Sequence, residues 1–113
     1  MRSTLSVLND GLSALGRYAG PATLVLASLA DGPKHGYKLT QDIDEFAGVR
    51  LQPGTLYGAI SRLENDGLIE AMGAEGRRLP YRLTAKGRAA LHAQLSSQRQ
   101  IANVGLSRLR SQS

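Results

Sequence analysis

Between Pro53 and Asp66 the chain reads PGTLYGAISRLEND, and its polar groups recur at helical spacing. With Leu56, Ile60 and Leu63 turned inward on a 3.6-residue period, Gly54, Gly58, Ser61 and Asn65 fall on the outer face. Tyr57 flanks that face on one side, Thr55 and Arg62 on the other. Small residues there let a helix sink into a groove, and hydroxyls, an amide and a guanidinium are groups that hydrogen-bond base edges and phosphates. This is chemistry of recognition. Groups for bond-making are scarce: His35 and His92 are the two histidines, no paired carboxylates suggest a catalytic cleft, and no nucleophile motif occurs. The glycines of DGPKHG lack the strand-to-helix context of a phosphate cradle. With no cysteine, disulfides, thiolate metal sites and cysteine nucleophiles are excluded, and two distant histidines offer too few metal ligands. Neither catalysis nor a cofactor or metal is expected.

A groove-reading helix needs a scaffold, and 113 residues with 42% apolar content provide for one core. Residues 1–20 carry Leu5, Leu8, Leu12 and Leu15 at near-helical spacing, but Gly11, Gly16 and Gly20 weaken a helix there, so they form an arm or short helix. Gly20 at the cap and Pro21 at the first position open a helix over 21–30 that DGP closes; with almost no polar face, it is the buried central helix. A second helix runs from His35 or Gly36 to about Phe46, with Leu39, Ile43 and Phe46 inward and Lys38, Gln41, Asp42 and Glu45 outward. Pro53 opens the third and Gly67 closes it. Leu68–Met72 and Leu79–Leu83 are strand candidates joined by GAEGRR, and Thr84 caps a last helix from Ala85 to about Leu109. The fold class is mainly α with a small β-hairpin.

Two helices joined by a short turn, the second bearing the polar face and followed by a hairpin, describe a winged helix-turn-helix over residues 21–84. Its wing lies around Gly73–Arg78, where Arg77 and Arg78 can reach phosphates or the minor groove. The net charge is +5, and from Arg77 to Ser113 there are eight basic residues and no acidic one, which suits a polyanion, nucleic acid or an anionic membrane surface. Each feature also has a plain structural reading. Tyr37 and Tyr57 can be core-edge aromatics, Arg62, Arg77 and Arg78 solvated cations, and Arg82 a partner for Glu70 across the hairpin.

HGYKLTQDI (35–43), PGTLYGAISRLENDGLIE (53–70) and YRLTAKGRAAL (81–91) resemble the PadR family of bacterial transcriptional regulators, in order and spacing, over about 21–91. The resemblance implies a DNA-binding homodimer, most often a repressor, with a winged-helix domain and a C-terminal dimerisation helix. It maps the start of the recognition helix onto Gly54, Thr55, Leu56 and Tyr57, with Thr55 and Tyr57 on DNA, and places His35, Gly36 and Tyr37 at the entry to the preceding helix, where a backbone end and a hydroxyl can face phosphate. Gly58 stands where the family often has proline, and Gln52 where a Ser or Asn cap is common. Those departures imply a looser helix start.

Residues 85–113 form the C-terminal helix and tail, whose stripe of Leu91, Leu95, Ala102, Leu106 and Leu109 is interrupted by Gln98 and Gly105. About 25 residues with one apolar face exceed what a small winged helix covers, so pairing across a dimer axis is expected. The expected partners are double-stranded DNA, a second copy and a small-molecule effector of the kinds to which family members respond. The sequence locates no pocket for an effector, and there are no tryptophans to sandwich a flat drug. The longest apolar run, Pro21–Ala30, is far short of the roughly 20 residues that span a bilayer, and no signal peptide is evident, so a cytoplasmic protein is expected. The alternative function is a winged-helix adaptor that binds a protein through the same surface.

Overall fold

Proline and glycine punctuate the chain. The computed structural model describes residues 20–73 and 79–112. Their elements are α1 (Pro21–Ser28), a 3-10 turn (Leu29–Asp31), α2 (Gly36–Ala47), α3 (Pro53–Asn65), β1 (Ile69–Ala71), β2 (Tyr81–Leu83) and α4 (Ala85–Ser111). The N-terminal arm predicted over 1–20 lies outside the described residues except for Gly20, as do Arg77 and Arg78. The fold is mainly helical with an antiparallel hairpin, a winged helix followed by one long helix.

α1 begins at Pro21 after Gly20, and its last turn tightens into 3-10 geometry ahead of Gly32 and Pro33, so it is α-helical for eight residues only. As expected it is central: Leu24, Val25, Leu26 and Leu29 are buried among Leu39, Ile43, Leu56, Ile60, Leu63 and Ile69. It also buries two hydroxyls, which need partners because a buried polar group without one is costly. Gln94 of α4 donates to Thr23 at 2.8 Å, and Ser28 donates to the Asp42 carboxylate at 2.6 Å. Asp42 therefore leans inward, against the outward placement expected from the wheel.

Phe46 is the second correction. It is 50% exposed, whereas Ala47, Val49 and Leu51 pack on the core. The chain folds back after α2, and apolar residues of the turn cover the surface that the spacing assigned to Phe46. Gly48 makes that reversal in the left-handed conformation, φ 67°, donating its N–H to Asp44.

The hairpin pairs Ile69 with Leu83, Glu70 with Arg82 and Ala71 with Tyr81. Its strands are shorter than predicted, since Pro80 has no N–H to give the ladder, although its carbonyl still accepts from Met72 at 2.8 Å. Lys34 adds a fourth pair, an isolated antiparallel bridge in which it exchanges both backbone hydrogen bonds with Tyr81, at 3.1 and 2.9 Å. Arg82 does pair with Glu70, at 2.7 Å, in an exposed position where such a pair contributes at most about 1 kcal/mol.

α4 is fastened to the end of α3. The Thr84 hydroxyl accepts the Gly87 N–H at 3.0 Å and donates to the Gly67 carbonyl at 2.7 Å. The Thr84 N–H reaches Leu68 O at 3.1 Å, and Lys86 Nζ reaches Asp66 O at 2.8 Å. A Cβ on Gly87 would overlap the Leu68 carbonyl oxygen and stand 2.8 Å from its carbon, so only glycine permits this approach. Leu91, 4% exposed, belongs to the chain's own core, which corrects its assignment to a dimer surface. From His92 to Gln112 every residue is exposed.

Gly87→Ala must separate backbone from backbone, and is expected to destabilise the fold by about 1–3 kcal/mol. Urea unfolding measures it; a change below about 0.5 kcal/mol, the range of ordinary surface substitutions, would show that the joint is slack.

Candidate nucleic-acid interface

α3 divides into two sides. Leu56, Ala59, Ile60 and Leu63 are buried, and Gly54, Thr55, Tyr57, Gly58, Ser61, Arg62 and Asn65 are all exposed. The ridge expected from the sequence is thus free of the monomer core. Pro53 starts the helix and Gln52 supplies no side-chain cap, in keeping with the departure noted at that position. A Cβ at Gly54 or Gly58 would meet nothing within 4 Å. Glycine in a helix interior, as at Gly58, costs about 1 kcal/mol relative to alanine, and among the described residues no packing accounts for a glycine at either position. Their effect is to keep the ridge low beside a groove of about 430 Å³ that runs to Pro21 and Ala22.

Tyr57, 49% exposed, lies at one edge of the ridge with its ring against Gly36 at the start of α2. Tyr37 is more exposed, and its hydroxyl accepts from Gln41 one turn later at 3.0 Å. Tyr37, Gln41, Arg50 and Tyr57 are among the residues lining a cleft of about 370 Å³ between α2 and the start of α3. His35 precedes the first turn of α2 and is half-buried, its Nδ1 enclosed and unpartnered. The structure therefore brings Gly36, Tyr37 and Tyr57 to the same flank of α3 as two phenols and a helix start.

Among the described residues Arg62 has no ion pair, while Arg50 sits 3.5 Å from Asp44 and Lys34 is paired with Asp31. The Lys34 ammonium holds the Asp31 carboxyl below its ordinary range. Behind the ridge, burial above all pushes the Tyr81 phenol up, reinforced by Glu64 and Tyr57, so this hydroxyl keeps its proton through neutral pH. Sequence reasoning missed Lys34, whose role as a bridge to the hairpin and a charge partner has no local pattern.

On α4, Leu95, Leu106 and Leu109 are exposed together with Ala102. Ile101 and Val104 are also exposed and fall off the predicted stripe. Among the described residues a Cβ on Gly105 would meet nothing within 4 Å, which leaves the backbone there open to close approach. No helix among the described residues is long and apolar enough to cross a membrane.

The sequence pattern of the Transcriptional regulator PadR-like family matches residues 25–93. A transcriptional regulator of Mycobacterium tuberculosis is 47% identical over 70 residues, 59% of this chain and 64% of that protein. An uncharacterized 37.1 kDa protein in a Streptomyces fradiae transposon is 46% identical over 74 residues, 66% of this chain and 21% of that protein. The chain thus spans about a fifth of one relative and just under two thirds of the other. A PadR family transcription regulator from hypervirulent Clostridium difficile superposes with a TM-score of 0.72 at 28% identity, covering 79% of this chain and 97% of its own. A transcriptional regulator from Clostridium thermocellum gives 0.71 at 27% identity, with 83% and 93% covered.

The two sides of α3 predict opposite responses to truncation. Ser61→Ala and Asn65→Ala are expected to leave stability within about 0.5 kcal/mol of the parent, and Ile60→Ala to cost about 2–5 kcal/mol. Thermal and urea unfolding check this. A large loss at Ser61 would mean that the ridge belongs to the core.

Proposed function

The chain belongs to the Transcriptional regulator PadR-like family, and from that membership and its geometry we propose that it is a homodimeric, sequence-specific DNA-binding repressor acting on a pseudo-palindromic operator. The observation that carries the reading is the low polar ridge of α3, exposed along its length while its opposite side is locked in the core. Each subunit lays α3 in a major groove. Thr55, Tyr57 and Ser61 address base edges, Gly54 and Gly58 let the backbone come close, and Arg62 takes a phosphate. His35, Gly36 and Tyr37 bring the start of α2 to the neighbouring backbone, where a helix N-terminus favours anions. Arg77 and Arg78 of the wing add cations beside it.

The exposed face of α4, with Leu95, Ala102, Leu106 and Leu109, pairs with its copy and sets the two ridges about 34 Å apart, one helical turn of DNA. Gly105 lets the paired backbones approach. Occupying a promoter in this way represses by exclusion, and a small-molecule effector acts by changing the pairing of α4. An adaptor for a protein partner fits less well, because apart from Tyr57 the ridge carries no large apolar group.

If a dimer neutralises on the order of six phosphates, log affinity falls against log salt with a slope near −5. Arg78→Ala is expected to make that slope shallower by about 1 and to weaken all duplexes alike. Thr55→Ala is expected to weaken the operator by about tenfold and random DNA far less, in line with about 1–3 kcal/mol per base contact. Titration of fragments recovered from genomic DNA by the purified protein measures both. Salt-independent binding, or equal losses on both duplexes for Thr55→Ala, would contradict the assignment.

A further inference from the structure

Gly36 is buried, stands at the first position of α2, and is not among the glycines with positive φ. Its backbone is one that any residue adopts, so conformational freedom is not its contribution. What the missing side chain provides is space. A Cβ on Gly36 would stand 3.0 Å from Cζ and 3.2 Å from Cε1 of Tyr57, and closer still to the phenolic oxygen.

Those atoms are the outer end of a half-exposed side chain. Gly87 differs, because there the obstacle is a backbone carbonyl. A methyl group at position 36 is therefore accommodated by swinging the Tyr57 ring off α2, with the core left intact. We infer that Gly36 is a positioning residue: its bare Cα makes a slot over the first turn of α2 that seats the Tyr57 ring and fixes where that phenol meets a duplex. This rests on the reading of α3 as the DNA-reading helix.

The seat matters because Tyr57 starts from an exposed helical surface, where its side chain would otherwise sample several staggered rotamers. Ordering the ring before DNA arrives removes part of the entropy that binding must otherwise supply. The role also differs from a direct contact of the Gly36 backbone with phosphate, since it acts wholly through Tyr57. Two residues that act through one another are non-additive, and a double-mutant cycle isolates that coupling.

The full chain and the variants Gly36→Ala, Tyr57→Ala and the pair are titrated with a duplex retained by the parent from genomic fragments, and with a random duplex of equal length. Gly36→Ala is expected to weaken the retained duplex by about tenfold, the factor for one lost ordered polar contact, with the random duplex changed less than about twofold. Added to Tyr57→Ala, it is expected to change binding by less than about twofold. Without DNA, the ¹³C-labelled Tyr57 ring signals shift in Gly36→Ala. If Gly36→Ala lowers the melting temperature, the pair, with the slot vacated, recovers it.

Parent-like binding by Gly36→Ala, an equal loss in both backgrounds, unshifted ring signals, or a melting temperature that the pair does not recover would each overturn the inference. A parent chain that retains no duplex overturns the DNA reading itself, and the specificity role of Gly36 with it. The ring signals tell these failures apart, because they report the slot whether or not DNA binds.

Discussion

The joint between the end of α3 and the start of α4 holds the rest in place. A helix ends with carbonyls that lack partners, and those of a surface helix usually turn to water. Here the carbonyls just past that end, of Asp66, Gly67 and Leu68, accept from the Lys86 ammonium, the Thr84 hydroxyl and the Thr84 N–H, while Gly87 lacks the Cβ that would meet the Leu68 carbonyl. Lys86 also brings a cation to the negative end of the α3 dipole. Leu91 completes the joint from inside, and the Gln94–Thr23 hydrogen bond ties the same helix to α1. α3 and α4 are thus tied to one another through the turn that ends α3.

The outer side of α3 is left free of this packing. Its inner side is anchored by Leu56, Ile60 and Leu63, while Gly54, Gly58, Ser61 and Asn65 lie outside the core. The ridge accepts two helical glycines because burial on the other side offsets them. Tyr57 is the exception, a large ring at the edge, and its support comes from α2. The two helices of the helix-turn-helix share this contact in addition to their core packing.

Much of the fold was legible in the sequence because each helix keeps a 3.6-residue period between proline and glycine stops. Pro21, Pro53, Gly67 and Thr84 mark ends that the structure keeps. The exposed side of α3 followed from the same period. Phe46, Asp42 and Leu91 were misread for a common reason: a wheel gives the side a residue occupies, and the neighbour covering that side comes from elsewhere in the chain. The turn with Leu51 displaces Phe46 from the core, the buried Ser28 draws Asp42 inward, and α1 with the hairpin encloses Leu91. The bridge at Lys34 and the slot at Gly36 were invisible, since both depend on residues more than 20 positions away. Arg77 and Arg78 fall outside the described residues, and their part stays with the proposal.

The central claim is that one rigid unit of α3 and α4, duplicated through α4, presents two ridges to a single duplex. The chain has no cysteine, so Ser61→Cys places one spin label per subunit on the exposed ridge. Pulsed dipolar spectroscopy on the DNA-free protein then measures the separation of the two ridges. The account predicts one narrow distance distribution centred at roughly 34 Å, the helical repeat of the duplex plus or minus the reach of the labels. No dipolar signal, or a broad distribution or a distance that a single duplex face cannot match, would contradict it.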